Sequence, residues 1–109
     1  MKISEERGDI ISTFLGNIGS IFEAKEEFDK ALKYHKRALD YCERVGDLNG
    51  KAFYLNAAGK ILTIKGDFDQ ALKYFQEATN IAEQLSSPDL KEYNMNAVIA
   101  RTKKLQSKN

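Results

Sequence analysis

Apolar residues recur along this chain at the spacing of a helix face. Phe28, Ala31, Leu32, His35, Ala38, Leu39, Cys42 and Val45 follow i, i+3, i+4, i+7 intervals, with one histidine among the apolar positions. Phe68, Ala71, Leu72, Phe75, Ala78, Ala82 and Leu85 repeat the arrangement. Each run follows a shorter apolar stretch, at about residues 10–24 and 48–64, which predicts a further helix. A fifth helix is expected to start at Ser87-Pro88-Asp89, where Ser87 can cap free amides and Pro88 suits a first turn.

The punctuation agrees with these boundaries. Gly-Asp occurs at residues 8–9, 46–47 and 66–67. Gly can end a helix in the left-handed conformation, and Asp can accept bonds from the first amides of the next helix. Asp67 and Gln70 have capping-box spacing, with Asp in place of Ser or Thr. Joints this short force neighbouring helices antiparallel. The chain reads as all-α, two helical hairpins plus a terminal helix.

The hairpins are copies of one another. A shift of 40 places residues 12–51 on 52–91 with 13 identities, among them Leu15/Leu55, Gly19/Gly59, Ile21/Ile61, Phe28/Phe68, Ala31/Ala71, Tyr34/Tyr74 and Ala38/Ala78. A period of this length is the mark of a solenoid. Residues 10–47 and 48–87 are the two repeats, and 88–107 form a terminal capping helix. Residues 1–9 read as the remnant of a preceding helix or cap, because Glu6-Arg7-Gly8-Asp9 echoes Glu43-Arg44-Val45-Gly46-Asp47. A Gly inside a helix costs about 1 kcal/mol relative to Ala. Gly19 and Gly59 therefore imply a crossing too close for a side chain, with Ala31 and Ala71 as the expected partners across it.

The pattern Leu15…Ile18-Gly19…Phe22…Phe28…Ala31…Ala38, repeated as Leu55…Ala58-Gly59…Leu62…Phe68…Ala71…Ala78, resembles the tetratricopeptide repeat. The 40-residue period is similar to the extended subclass found in kinesin light chains and spindle-orientation adaptors. The resemblance implies a right-handed superhelical stack of antiparallel hairpins. It also implies a concave groove, lined by the first helix of each hairpin, that holds a peptide from a partner protein. By register, the groove should present Thr13, Asn17, Ser20 and Glu23 from the first unit. Phe53, Asn56, Lys60 and Thr63 should follow from the second, then Tyr93, Asn96, Ala100 and Lys103 from the terminal helix. Asn side chains can clamp a peptide backbone, and Phe53 and Tyr93 can pack its side chains.

Repeat stacks bury each unit on its neighbours and usually need about three units. This chain has two and a half, and Ile10, Ile11 and Phe14 stand at its open beginning. Self-association through that edge, giving a homodimer, is the alternative reading. A weaker one is a nucleic-acid accessory role for residues 91–109, where Lys91, Arg101, Lys103, Lys104 and Lys108 oppose Glu92. That basic face lacks interleaved aromatics for base stacking and reads better as a solubilising outer face.

Composition adds mainly exclusions. Net charge is +1, so the overall field directs the chain toward neither nucleic acid nor anionic membrane. No apolar run approaches a membrane span, the N-terminus has no signal-peptide pattern, and a lone Cys42 cannot form an internal disulfide. Cytoplasm is the expected location. His35, the only histidine, takes the place of Phe75 and reads as a packed side chain rather than a base or metal ligand. Cys42 aligns with Ala82 and reads as a small apolar residue. No nucleophile elbow, phosphate loop or carboxylate pair appears, so neither an enzyme, a cofactor nor a metal is expected.

Overall fold

Four short joints divide the chain, and all four close by the same hydrogen-bond plan. The computed structural model describes residues 3–107, with side chains described from Ile10 onward. The helices are α1 (Ile3–Ala24), α2 (Phe28–Val45), α3 (Leu48–Lys65), α4 (Phe68–Leu85) and α5 (Leu90–Ser107), and no strand occurs among the described residues. At each joint an amide reaches back across the last helical turn. Glu27 N donates to Phe22 O, Asp47 N to Cys42 O, Asp67 N to Leu62 O and Ser87 N to Ala82 O, each at 2.9 Å. This closure needs a left-handed residue just before the donor. Gly46 and Gly66 supply it at φ 74° and 87°, as expected, but Glu26 (60°) and Ser86 (50°) supply it at the other two.

The Asp after each Gly then starts the next helix. Gly50 N donates to Asp47 Oδ1 at 2.9 Å, and Gln70 N to Asp67 Oδ1 at 3.4 Å. At the last joint Asp89 N donates to Ser87 Oγ at 3.2 Å, and Pro88 and Asp89 form a turn, so α5 begins at Leu90 rather than at Pro88. The joint expected at Gly8-Asp9 is absent. The first helix runs through it from Ile3, and residues 1–2 of the expected remnant lie outside the described residues.

The helices pair as α1/α2 and α3/α4 hairpins, with α3 against α2 and α5 against α4, in a stack 54 × 32 × 18 Å. Ala31, Ala38, Ala71 and Ala78 are fully buried and let the helix axes approach closely. Leu55, Ile61 and Phe75 fill the space between them, each burial contributing about 1.5–3 kcal/mol.

The glycine crossings are real but close against different partners. A Cβ on Gly19 would lie 3.0–3.1 Å from three atoms of the His35 ring. One on Gly59 would lie 2.6–2.9 Å from the Phe75 ring. The rings at 35 and 75, not the methyls of Ala31 and Ala71, meet the glycines. They stand one turn further along the second helix, and a flat ring reaches across a gap that a methyl leaves open.

The fifth helix departs from the period by one residue. Lys65 of α3 pairs with Asp29, and Lys104 of α5 pairs with Asp69. The acids are 40 apart and the lysines 39. Tyr54 and Tyr93, also 39 apart, both enter the same core. The joint at Ser86–Asp89 therefore seats α5 one position out of step with α3, which rotates its faces by about 100° against the 40-residue alignment.

Candidate functional site

The middle helix decides which surface is open. α3 is packed on both sides, by α2 and α4, and between its ends it opens along a stripe of Phe53, Ala57, Lys60 and Ile64. These positions are spaced four, three and four apart, one row on a helix. With a shift of 40 back and 39 forward, the stripe continues as Thr13, Asn17, Ser20 and Ala24 on α1, and as Glu92, Asn96, Ile99 and Lys103 on α5. All of these are exposed or half-exposed. Three helices thus present four matched rows across one face.

Two hollows lie along this face. At one end Thr13, Asn17 and Phe53 meet Asn49, Asp47 and Asp89 in a broad depression. At the other, Lys60, Thr63 and Ile64 of α3 face Asn96, Ile99 and Lys103 of α5 across a cleft of about 210 Å³ floored by Phe75. Phe53 is 55% exposed and Ile64 53%, unusual openness for large apolar side chains in the middle of a packed stack.

Of the residues expected to line a groove, Thr13, Asn17, Ser20, Phe53, Lys60, Asn96 and Lys103 do share this face. Four do not stand open on it. Asn56 is only 4% exposed, and its Oδ1 accepts from Asn96 Nδ2 at 2.8 Å. Buried Thr63 donates its hydroxyl to Gly59 O, one turn back on its own helix, at 2.9 Å. Tyr93 is 2% exposed and belongs to the core. Burial, with Asp89 and Glu92 nearby, pushes its hydroxyl up to about 12. Ala100 is likewise buried. Glu23 is half-buried one position short of the row, with Oε1 3.6 Å from His35 Nε2.

The one-residue offset explains the departures on α5, Tyr93 and Ala100, whereas Asn56, Thr63 and Glu23 each lie one position off the row of Ala57, Ile64 and Ala24 on helices where the 40-residue period holds. The offset pairs Tyr93 with Tyr54 instead of Phe53, and Asn96 with Asn17 instead of Asn56. It also brings in Glu92 and Ile99, which the 40-residue alignment passes over. The signal was present as identities 39 apart: Tyr54/Tyr93, Ala58/Ala97, Thr63/Thr102 and Lys65/Lys104.

His35 is packed, not presented. Its ring lies on Gly19 and stacks on Tyr54 with centroids 6.3 Å apart, and neither ring nitrogen has a hydrogen-bond partner. Burial holds its pKa below the usual histidine range against the opposing pull of Glu23, and Lys60 lowers it further. No group of three or more His, Cys, Asp or Glu suited to a metal occurs among the described residues. Cys42 is buried with Sγ 4.0 Å from Asp47 Oδ2.

At the open beginning of the stack Ile10 and Phe14 are exposed, Phe14 at 64%, and Ile21 joins them. Their counterparts Tyr54 and Ile61 are buried, and Tyr54 donates its hydroxyl to Ser12 O of the first hairpin at 3.0 Å. Ile11 differs from expectation, being half-buried against the core. At the other end, the pairing of Lys104 with Asp69 breaks the basic face of α5.

A family model, the tetratricopeptide repeat, matches residues 9–84. No curated protein matches the chain. Among the described residues no helix is long and apolar enough to cross a membrane.

Proposed function

Since the chain belongs to the tetratricopeptide repeat family, whose repeats are non-catalytic scaffolds for protein–protein interaction, we propose that it binds a peptide segment of a partner protein along its concave face. The observation that carries this reading is the open stripe of α3. Phe53 and Ile64 stand exposed at its two ends, with Lys60 between them and mostly polar side chains beside them on α1 and α5. Large apolar side chains rimmed by polar ones mark interaction surfaces. The module performs no chemistry of its own on this reading and acts in the cytosol as an adaptor. Its 40-residue period fits the extended subclass of the family.

A test is affinity capture from a cytosolic extract with the wild type and an Asn17→Ala, Phe53→Ala, Lys60→Ala variant of equal helicity. Partners lost only from the variant support the groove. Equal recovery by both removes these residues from the binding surface. The second reading, self-association through the open beginning of the stack, is favoured by the exposure of Ile10, Phe14 and Ile21. On that reading Phe14→Ser lowers the mass in solution and leaves partner capture unchanged.

A further inference from the structure

The cleft between α3 and α5 carries a charge arrangement that points to its occupant. Lys60 shares a row with Ile99, and Ile64 shares the next row with Lys103. The two ammonium groups therefore sit on one diagonal of a four-residue patch and the two aliphatic side chains on the other. No carboxylate lines the cleft. Among the described residues neither lysine has an acidic partner, whereas Lys51, Lys65 and Lys104 reach Glu77, Asp29 and Asp69 on adjacent helices. The chain as a whole is only +1, so this local excess does not follow from its composition. Two unpaired cations flanking an apolar hollow repel one another, and an anion between them relieves that repulsion.

We propose, resting on the peptide-groove reading above, that this cleft receives an acidic peptide segment carrying an aliphatic side chain. The aliphatic group enters between Ile64 and Ile99 above Phe75. Carboxylates on either side of it meet Lys60 and Lys103. Asn96 gives one amide hydrogen to Asn56 and keeps a second donor for the peptide backbone. The opposite end of the face, with Asp47 and Asp89, disfavours such a peptide and confines it to this cleft.

The test is selection from a displayed library of random peptides on the intact protein. Enriched sequences are then synthesised with a fluorophore and titrated by anisotropy. The expected sequences place Asp or Glu on both sides of Leu, Ile or Val. Their affinity should fall at least about tenfold, about 1.4 kcal/mol, in Lys60→Glu/Lys103→Glu and should weaken with added salt. Lys60→Met/Lys103→Met, checked for equal helicity, should show a smaller loss in the same direction. Peptides that bind without an acidic bias, or that the charge-reversed variant binds equally, overturn this inference. If Phe53→Asp still abolishes their binding, the groove reading survives. No enrichment, or binding lost only on Phe14→Asp, removes the groove reading and the inference with it.

Discussion

Replacing His35 by Phe is expected to stabilise the protein, and by an amount that grows as the pH falls. The second repeat already places Phe75 at this position over a glycine. In the first repeat the imidazole is buried with no close hydrogen bond to either nitrogen, Glu23 Oε1 standing 3.6 Å from Nε2, and a buried polar group without one costs about 1–3 kcal/mol. The larger ring returns part of that gain as crowding. The net expectation at pH 7.5 is about 1–2 kcal/mol in favour of His35→Phe. The pH dependence has a definite sign. Burial lowers the histidine pKa in the folded state, so the unfolded chain takes up the proton first as the pH drops below the ordinary histidine value of about 6.5. The wild type therefore loses stability there, at no more than about 1.4 kcal/mol per pH unit, until the folded pKa is passed. Phe does not titrate, and carboxylates common to both proteins largely cancel in the difference. Urea unfolding followed by helical circular dichroism between pH 8 and pH 5 gives both curves (about the range over which histidine titrates). A gap that stays constant or narrows toward acid would refute the reasoning, because it would mean that Glu23 gains more from the protonated ring than burial takes away.

Three further outcomes follow from the same packing. Gly59→Ala should destabilise by about 1–2 kcal/mol, since a Cβ within 2.6 Å of the Phe75 ring outweighs the helix propensity gained, and the loss should vanish in a Phe75→Leu background, as a double-mutant cycle in urea would show. Gly19→Ala should be milder, because the His35 ring is farther off at 3.0 Å. Ser86→Gly should raise stability by about 0.5–1 kcal/mol, the relief of a left-handed serine less the added freedom of the unfolded chain, read as a higher urea midpoint with unchanged slope.

The helices were legible because their signals are local. Apolar spacing marked α2 and α4, and Gly46-Asp47 and Gly66-Asp67 marked two joints. The joints at Glu26 and Ser86 carry no glycine, yet close the same way, because the hydrogen-bond plan repeats while the residue at its left-handed position does not. Gly19 and Gly59 announced close approach without naming the approaching group, since that depends on how far a ring extends across the crossing. The groove was only partly legible. A helix shows a different face for each residue of offset, so the single-residue slip before α5 turned Tyr93 inward and Ile99 outward. On α1 and α3 the 40-residue period holds, and Thr13, Asn17, Ser20, Phe53 and Lys60 stand open, but Asn56, Thr63 and Glu23 lie one position off the open rows.

The central claim, that the concave face of α1, α3 and α5 is the working surface, is tested most directly by mapping a bound peptide on the protein's own amides. A partner peptide obtained by capture or selection is titrated into isotopically labelled protein, and the chemical-shift changes are followed by NMR. The account predicts the largest changes at Phe53, Ala57, Lys60 and Ile64, and at Asn96, Ile99 and Lys103 opposite them. Changes centred on Ile10, Phe14 and Ile21, with these rows unmoved, would contradict it and make the open end of the stack the binding surface.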